Sequence, residues 1–388
     1  MNLHYLTDSI ARGWRQLASR RIYMVMLIVV PVLFGFFFLD LLEVGLPLKV
    51  PVAVVDMDDS PLSRQVTRNL GSTELVDVRC KVESFHEAQK KVRSGEIFGF
   101  FYLPEQFQKK ALGGDEPTVT YYSNLTYYVP GSLAFKGFKT VAVTTTGALV
   151  QTTLVSTGID SNTTKSLLQP VAIQQQAPGN PWMNYSIYLS PSFMAAFLAL
   201  IILGVTVYSI CSEIKYGTSP QWLRTAGGSM FIALTGKLVP QTFIEICMGM
   251  AYLGMMFGIE SFPCNNHFSH LVLAMVLMVI ACQAFAVAVC CVVPNLRLAL
   301  IVVSLTGILS FSIAGFSFPV QNMYGSIGIL SYILPVRYFF LIYIDQALNG
   351  IPLYFSRFYF VALLIFPLVA MPGMGRLKKR CLNPIYVP

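Results

Sequence analysis

The chain has 388 residues, of which 55% are hydrophobic and 12% are charged, so it lacks the polar surface that a soluble protein of this size needs. These values exclude a soluble globule and indicate an α-helical polytopic membrane protein. The net charge of +8 would also suit a nucleic-acid-binding protein. However, residues 43–190 hold 13 basic and 13 acidic residues, so the whole excess lies in the apolar regions, where the positive-inside rule accounts for it. No nucleic-acid partner is expected.

Residues 1–21 have the pattern of an amphipathic helix lying in the membrane interface. Apolar side chains recur at helical spacing and include Trp14, while Arg12 and Arg15 belong to a basic group toward the end of the segment. A first transmembrane helix is predicted at residues 22–42. A signal peptide is the alternative, but the apolar stretch exceeds a usual signal core and no cleavage site follows, which favours an uncleaved span. The arginines predict a cytoplasmic N-terminus.

Residues 43–190 are predicted to form an extracytoplasmic α/β domain, because short β-branched runs alternate with helical patterns and turn residues. A polar, Pro-rich connector at 162–182 would lead back to the membrane. The predicted strands are Val50–Val55, Ile97–Leu103 and Thr118–Tyr122, and the predicted helices are Leu62–Leu70, Phe85–Ser94, Glu105–Leu112 and Ser132–Thr157.

Residues 191–374 contain the apolar stretches for transmembrane helices 2–6. The segment 316–350 is also apolar, but Pro319, Pro335, Arg337 and Asp345 interrupt it, which favours two short re-entrant helices in the outer leaflet. The predicted spans are Phe193–Cys211, Leu238–Ile259, Leu271–Val293, Leu298–Ala314 and Phe358–Met371. Six spans leave the basic tail, 375–388, in the cytoplasm, whereas a seventh would move it outside.

A polar cytoplasmic loop, 212–237, separates spans 2 and 3, and it carries no nucleotide site. Gly236 and Lys237 resemble the end of a phosphate-binding loop, but Phe231 stands where its first glycine belongs and Leu238 replaces the Ser or Thr that would bind magnesium. No catalytic residue, metal spacing or bound cofactor is expected in this chain. Any ATP and magnesium would be bound by partner subunits.

The loop resembles the cytoplasmic loop of type-2 ABC exporter permeases. That loop has a Glu, a basic residue and Gly-Thr, then a leucine-containing helix, and later Gly-Lys-x-x-Pro. The matching residues here are Glu213, Lys215, Gly217, Thr218, Leu223, Gly236, Lys237 and Pro240. Further similarity follows in order along the chain, at 52–56 with 60–64, at 95–107, and at 315–335. The family's second Glu and Leu-Leu pair are absent, since Tyr216 and Gln221-Trp222-Leu223 stand there.

The resemblance implies the permease subunit of an ATP-driven exporter in a bacterial inner membrane, with both termini cytoplasmic, moving an apolar or amphipathic substrate outward. Its implied partners are ABC ATPase subunits and a second permease copy or paralogue, with a periplasmic adaptor and an outer-membrane channel as further candidates. The expected ATPase-docking residues are Glu213, Lys215, Gly217, Thr218, Gln221, Trp222, Leu223 and Arg224. A helix that presents Trp222 and Leu223 would suit a protein contact, whereas Trp222 and Arg224 could also simply mark the membrane interface.

Two alternative functions remain open on the sequence alone. A membrane sensor would use the extracytoplasmic domain to bind a ligand, although no cytoplasmic signalling domain is evident. A proton-coupled secondary transporter would use Glu245, a carboxylate within the third predicted span. Carboxylates in spans are costly and usually face protein or water, so a structural hydrogen bond is an equally suitable role for Glu245.

Overall fold

The computed structural model of the protein describes residues 3–113, 115, 117–124, 126–156, 179–181 and 184–384. The chain divides into two compact units, one comprising Met1–Gly45 with Gln176–Pro388 and the other Leu46–Gln175. Apart from residues 179–181, the predicted connector at 162–182 lies outside the described residues.

The inserted unit is an α/β domain, as predicted. Its strands are β1 (Val50–Asp56), β2 (Val76–Val82), β3 (Gly99–Leu103) and β4 (Thr120–Ser123), and its helices are α3 (Pro61–Gly71), α4 (Phe85–Arg93), α5 (Phe107–Gly113) and α6 (Tyr128–Ser156). The sheet has the order β2-β1-β3-β4, in which β1 runs parallel to β2 and β3, and β4 is antiparallel to β3. Strand β2 was not predicted. It alternates apolar and charged residues at the edge of the sheet, a pattern that protects an edge but gives a weak signal.

Alternation along β1 builds a core on each face of this sheet. Val52 and Val54 pack with α3 and α6 on one face, whereas Ala53 and Val55 pack with α4 on the other. The turn after β1 ends at Ser60, whose hydroxyl accepts a bond from Ser63 N–H at 3.1 Å, followed by proline at the first helical position. This cap starts α3 where the sequence predicts it.

The membrane unit begins with helix α1 (Leu3–Ser19). Within the described residues, six helices are long and apolar enough to cross a membrane, as predicted. They are α2 (Arg21–Leu41), α7 (Tyr185–Lys215), α9 (Met230–Ile259), α10 (Phe268–Val292), α11 (Leu296–Ile313) and Leu353–Leu382. The last comprises α14 (Leu353–Ala370), a 3₁₀ turn and α15 (Met374–Leu382).

Helices α7 and α9 are longer than the apolar stretches predicted, because polar residues at a span end also adopt helix. Asn184 caps α7 by accepting a bond from Ser186 N–H at 2.7 Å, and Ser229 precedes α9 as its cap. The loop predicted at 212–237 is therefore shortened to residues 216–229. A short helix, α8 (Ser219–Thr225), lies within it.

The segment 316–350 contains the two short helices that its sequence predicts. They are α12 (Gly325–Ser331) and α13 (Pro335–Leu348), and they meet at an angle of 82°. Pro335 is the first residue of α13 and Pro319 precedes a 3₁₀ turn. Such a bend belongs to a broken or re-entrant segment rather than to a straight crossing.

Candidate functional site

The candidate site is a buried ion cluster that joins α1, α7 and α9 behind the loop at 216–229. Lys237 Nζ lies 2.7 Å from Glu213 Oε1, and Arg12 Nη2 lies 3.0 Å from Glu213 Oε2. The side chains of Lys237 and Glu213 are only 3% and 4% exposed. One carboxylate of α7 therefore holds a cation from each of the two neighbouring helices.

Every direction around the Lys237 ammonium group is occupied. Besides Glu213, it donates to Gln16 Oε1 at 2.8 Å and to the Ser209 carbonyl at 3.1 Å. It also lies 4.5 Å from the centre of the Trp222 ring, a cation–π distance. Thr218 donates its hydroxyl to the Glu213 carboxylate and so ties the start of the loop to the same cluster. Buried charges are stable only when paired and hydrogen-bonded in this way.

Helix α8 is held against the membrane unit by buried side chains. Trp222 and Leu223 are each 1% exposed, and Trp222 Nε1 donates to the Ala233 carbonyl at 3.1 Å. Ser219 donates its hydroxyl to the Cys381 carbonyl at 2.8 Å, which links α8 to α15. The expectation that α8 presents Trp222 and Leu223 therefore needs correction, because both side chains fill the space under the helix. Gln221 and Arg224 are its exposed residues.

Helix α1 crosses α9 at very close range, and this crossing brings Arg12 and Gln16 to the cluster. A Cβ atom added to Gly236 would lie 2.4 Å from Ser9 Cβ, and one added to Gly13 would lie 2.7 Å from the Gly236 carbonyl oxygen. Only glycine permits this approach. Of the side chains predicted to lie in the interface, Trp14 and Arg15 are exposed, whereas Arg12 points to Glu213.

Glu245 lies apart from the cluster, in the middle of α9, and is 1% exposed. Its Oε2 accepts a bond from Gln283 Nε2 of α10 at 2.7 Å, and Thr242 donates to Gln283 Oε1 at 2.7 Å. The other oxygen, Oε1, has no hydrogen-bond partner among the described residues. Thr242 and Gln283 line a cleft of about 340 Å³ between α9, α10 and α14. The bond to Gln283 is the structural hydrogen bond that the sequence allows for Glu245.

Arg337 and Asp345, at the two ends of α13, have separate partners. Arg337 donates to the Ala314 carbonyl at 2.9 Å and lies over the Tyr332 ring. Asp345 accepts a bond from Ser356 at 2.9 Å. Both residues therefore fasten the bent segment to neighbouring helices. Pro319 is exposed and Pro335 is buried.

The Glu213 carboxylate and the Lys237 ammonium group have their hydrogen-bonding positions filled by each other and by their neighbours. Among the described residues, no group of three or more His, Cys, Asp and Glu side chains could hold a metal ion. Sequence reasoning found Glu213 and Lys237 as separate motif residues but missed Gln16 and the pairing with Arg12. The sequence signal for the crossing of α1 and α9 is a pair of glycines, Gly13 and Gly236. Each lies within four residues of the cluster's members on its own helix.

A known protein family matches the chain over nearly its whole length. The family model described as ABC-2 family transporter protein matches residues 21–372, a range that contains the loop, the inserted domain and all six spans except the end of the last. A comparison with curated proteins finds no match. The chain therefore belongs to the ABC-2 family of transporters, as a membrane-spanning permease of that family.

Proposed function

We propose that this permease exports an apolar or amphipathic substrate, driven by separate ABC ATPase subunits that dock at the loop around α8. The partners would bind ATP and magnesium, and the permease would work as a homodimer or beside a related permease. In this proposal α8, both termini and the basic tail face the cytoplasm of a bacterial cell, and the inserted domain faces outward. The positive-inside distribution of basic residues supports this orientation.

The observation that carries the proposal is the ion cluster of Glu213, Lys237 and Arg12. Thr218 forms a hydrogen bond to this cluster and Trp222 contacts it. A displacement of α8 would therefore move the ends of α7 and α9 with it. Closely packed elements transmit a displacement to their neighbours rather than absorbing it. A motor bound at α8 would thus act on spans 2 and 3 together.

The docking surface in this proposal is the exposed side of the loop. Lys215, Gly217, Gln221 and Arg224 are exposed there, whereas Glu213, Trp222 and Leu223 support them from within. Gly217 has a φ of +69°, a left-handed conformation that glycine adopts without strain. It ends α7 and turns the chain toward α8.

Co-purification with candidate ATPases tests this surface. Arg224→Glu together with Gln221→Glu is expected to weaken ATPase binding and transport at least about tenfold, since like-charge contacts at an interface cost several kcal/mol. Arg79→Glu, at an exposed arginine of the inserted domain, is the matched control and is expected to leave both unchanged. Full binding and transport in the Arg224 variant would refute docking at α8.

A second candidate function is proton-coupled transport through Glu245, favoured by its buried carboxyl group with one oxygen unpartnered among the described residues. The two candidates differ in their energy source. Under the ATP-driven proposal, Glu245→Gln retains transport within about twofold, because a glutamine can keep a hydrogen bond to Gln283. Transport that survives inactivation of the ATPase but is lost in Glu245→Gln would establish proton coupling instead.

A further inference from the structure

An apolar cleft and a basic groove adjoin each other where α1 leads into α2. The cleft measures about 380 Å³, lies between α2, α7 and α11, and is apolar except for the hydroxyls of two tyrosines and one serine. The groove measures about 320 Å³ and includes Arg12, Arg15 and Arg20 in its lining. Part of the groove's lining, including Arg12 and Glu213, belongs to the ion cluster, whereas Arg15, Arg20 and the whole cleft take no part in the coupling described above.

Arg20, a groove residue, links the linings of the two spaces. Its Nη1 donates to the Tyr208 hydroxyl in the cleft wall at 3.4 Å, and its carbonyl accepts a bond from the N–H of Tyr23, another cleft residue, at 3.1 Å. Ser212 of the groove follows Tyr208 by one turn of α7. The basic end of the combined site lies at the start of the first span, where lipid headgroups lie, and the apolar end lies along the span.

The charge left over in the groove is positive. Glu213 borders it, but its two oxygens are already engaged by Lys237, Arg12 and Thr218. Arg15 is exposed, and neither Arg15 nor Arg20 forms an ion pair with any acid in the described parts of the chain. A ligand that satisfies both halves must therefore carry an anionic group and an apolar chain.

We propose that this combined site binds an anionic phospholipid, with the headgroup at Arg15 and Arg20 and an acyl chain in the cleft. The membrane supplies such a ligand directly, and basic side chains at the surface attract it. The headgroup would lie between α1 and α7, two helices that the ion cluster joins. This inference does not depend on the substrate or on the ATPase partner.

Native mass spectrometry of the delipidated full-length protein tests the proposal, because it counts both bound lipids and copies of the chain. The probes are phosphatidylglycerol, phosphatidylcholine of the same acyl chains, and inorganic phosphate. The wild-type protein is expected to retain phosphatidylglycerol selectively. Arg15→Gln is expected to weaken its binding about fivefold, and Arg15→Gln with Arg20→Gln about 25-fold. Arg297→Gln, at an exposed arginine near another span end, is the control and should change little.

A second pair of variants tests the apolar cleft. Gly204 lines the cleft, and a Cβ atom there would meet nothing within 4 Å, so Gly204→Leu begins a bulky side chain in open space at the cleft. Gly254, in α9, is equally open and provides Gly254→Leu as the control. Gly204→Leu is expected to weaken phosphatidylglycerol binding at least about tenfold by displacing acyl-chain contacts, while the control binds as the wild type does.

Three results would overturn the proposal. Equal retention of phosphatidylcholine and phosphatidylglycerol would show an unselective apolar cleft. Binding of inorganic phosphate that matches the lipid and is insensitive to Gly204→Leu would identify a free-phosphate site. Loss of the dimer in Gly204→Leu, without any selective lipid binding in the wild type, would show that a second copy of the chain covers the cleft.

Discussion

Lys237 and Glu213 form an ion pair of 2.7 Å from which solvent is almost fully excluded, and the pair joins the facing ends of α7 and α9. The charge of Lys237 is therefore compensated by Glu213, and that of Glu213 by Lys237 and Arg12. Removing one partner from a buried pair typically costs about 3–5 kcal/mol, more than replacing both by apolar residues. The stability of the membrane unit should reflect this asymmetry.

The first prediction compares single and double replacements at this pair. Lys237→Met is expected to lower the thermal stability of the purified protein by an amount equivalent to about 3–5 kcal/mol, because Glu213 is left buried beside Arg12 alone. Lys237→Met with Glu213→Leu should recover part of that loss. Unfolding in detergent gives the coupling between the two sites. Lys379→Met, at an exposed lysine of α15, is the control, and an equal loss there would contradict the prediction.

The second prediction concerns the crossing of α1 and α9. In Gly236→Ala the new methyl group would lie 2.4 Å from Ser9, so α1 must shift, at a cost of about 1–3 kcal/mol. The shift should also release Arg12 from Glu213 and lower ATP-driven transport. Cross-linking of cysteines placed in α1 and α9 would report the displacement. Gly254→Ala lies in the same helix with open space around it, and stability as low as that of Gly236→Ala would argue against a role for the crossing.

The third prediction distinguishes the residue of α8 that stabilises the fold from the residue that binds the partner. Trp222→Phe removes the bond to the Ala233 carbonyl and should cost about 0.5–1.5 kcal/mol of stability, whereas Trp222→Ala also leaves a cavity and should cost about 3–5 kcal/mol. Arg224→Glu should instead preserve stability and weaken binding of the partner. Thermal unfolding and co-purification, measured on the same preparations, give both values. Normal stability in Trp222→Ala with lost partner binding would mean that Trp222 contacts the partner directly.

Local signals in the sequence were sufficient for most elements of the fold. The strand β1 and the helix after it follow from a β-branched run ended by Ser60-Pro61, and the six spans follow from apolar length. The bend between α12 and α13 follows from Pro335. Strand β2 was missed because its alternation of apolar and charged residues is that of an exposed edge, and its place is fixed only by pairing with β1.

The candidate site was predicted only in part, for a different reason. Glu213 and Lys237 are separated by 24 positions, and Arg12 is 201 positions before Glu213. No helical period connects residues so far apart, so the sequence cannot tell which helices meet. The residue type of Trp222 and its place in a polar loop predict a contact with another protein. In the structure, its ring instead lies beside Lys237 of the next helix and fills the interior.

The last prediction concerns the inserted domain and its dependence on pH. Burial raises the pKa of Asp58, but hydrogen bonds from Ser60 and from the backbone N–H groups of residues 106–108 outweigh it and hold that pKa below its usual range. One of these bonds, from Gln108 N–H to Asp58 Oδ2, measures 3.0 Å and ties the turn after β1 to α5. The pKa is thus lower in the folded than in the unfolded state, where it is about 3.9.

By linkage, the charged Asp58 stabilises the domain fully above the unfolded pKa, and this contribution is lost as the pH falls through the lower, folded pKa. Asp58→Asn should therefore open α5 and the β1 turn at neutral pH and remove part of the loss of stability that the wild type is expected to show between about pH 5 and pH 3. Hydrogen exchange of peptides from these elements in the full-length protein measures both effects. Asp115→Asn, at an exposed acid of the same domain, should keep the wild-type pH profile. A profile of Asp58→Asn that matches the wild type would show that Asp58 does not hold this turn.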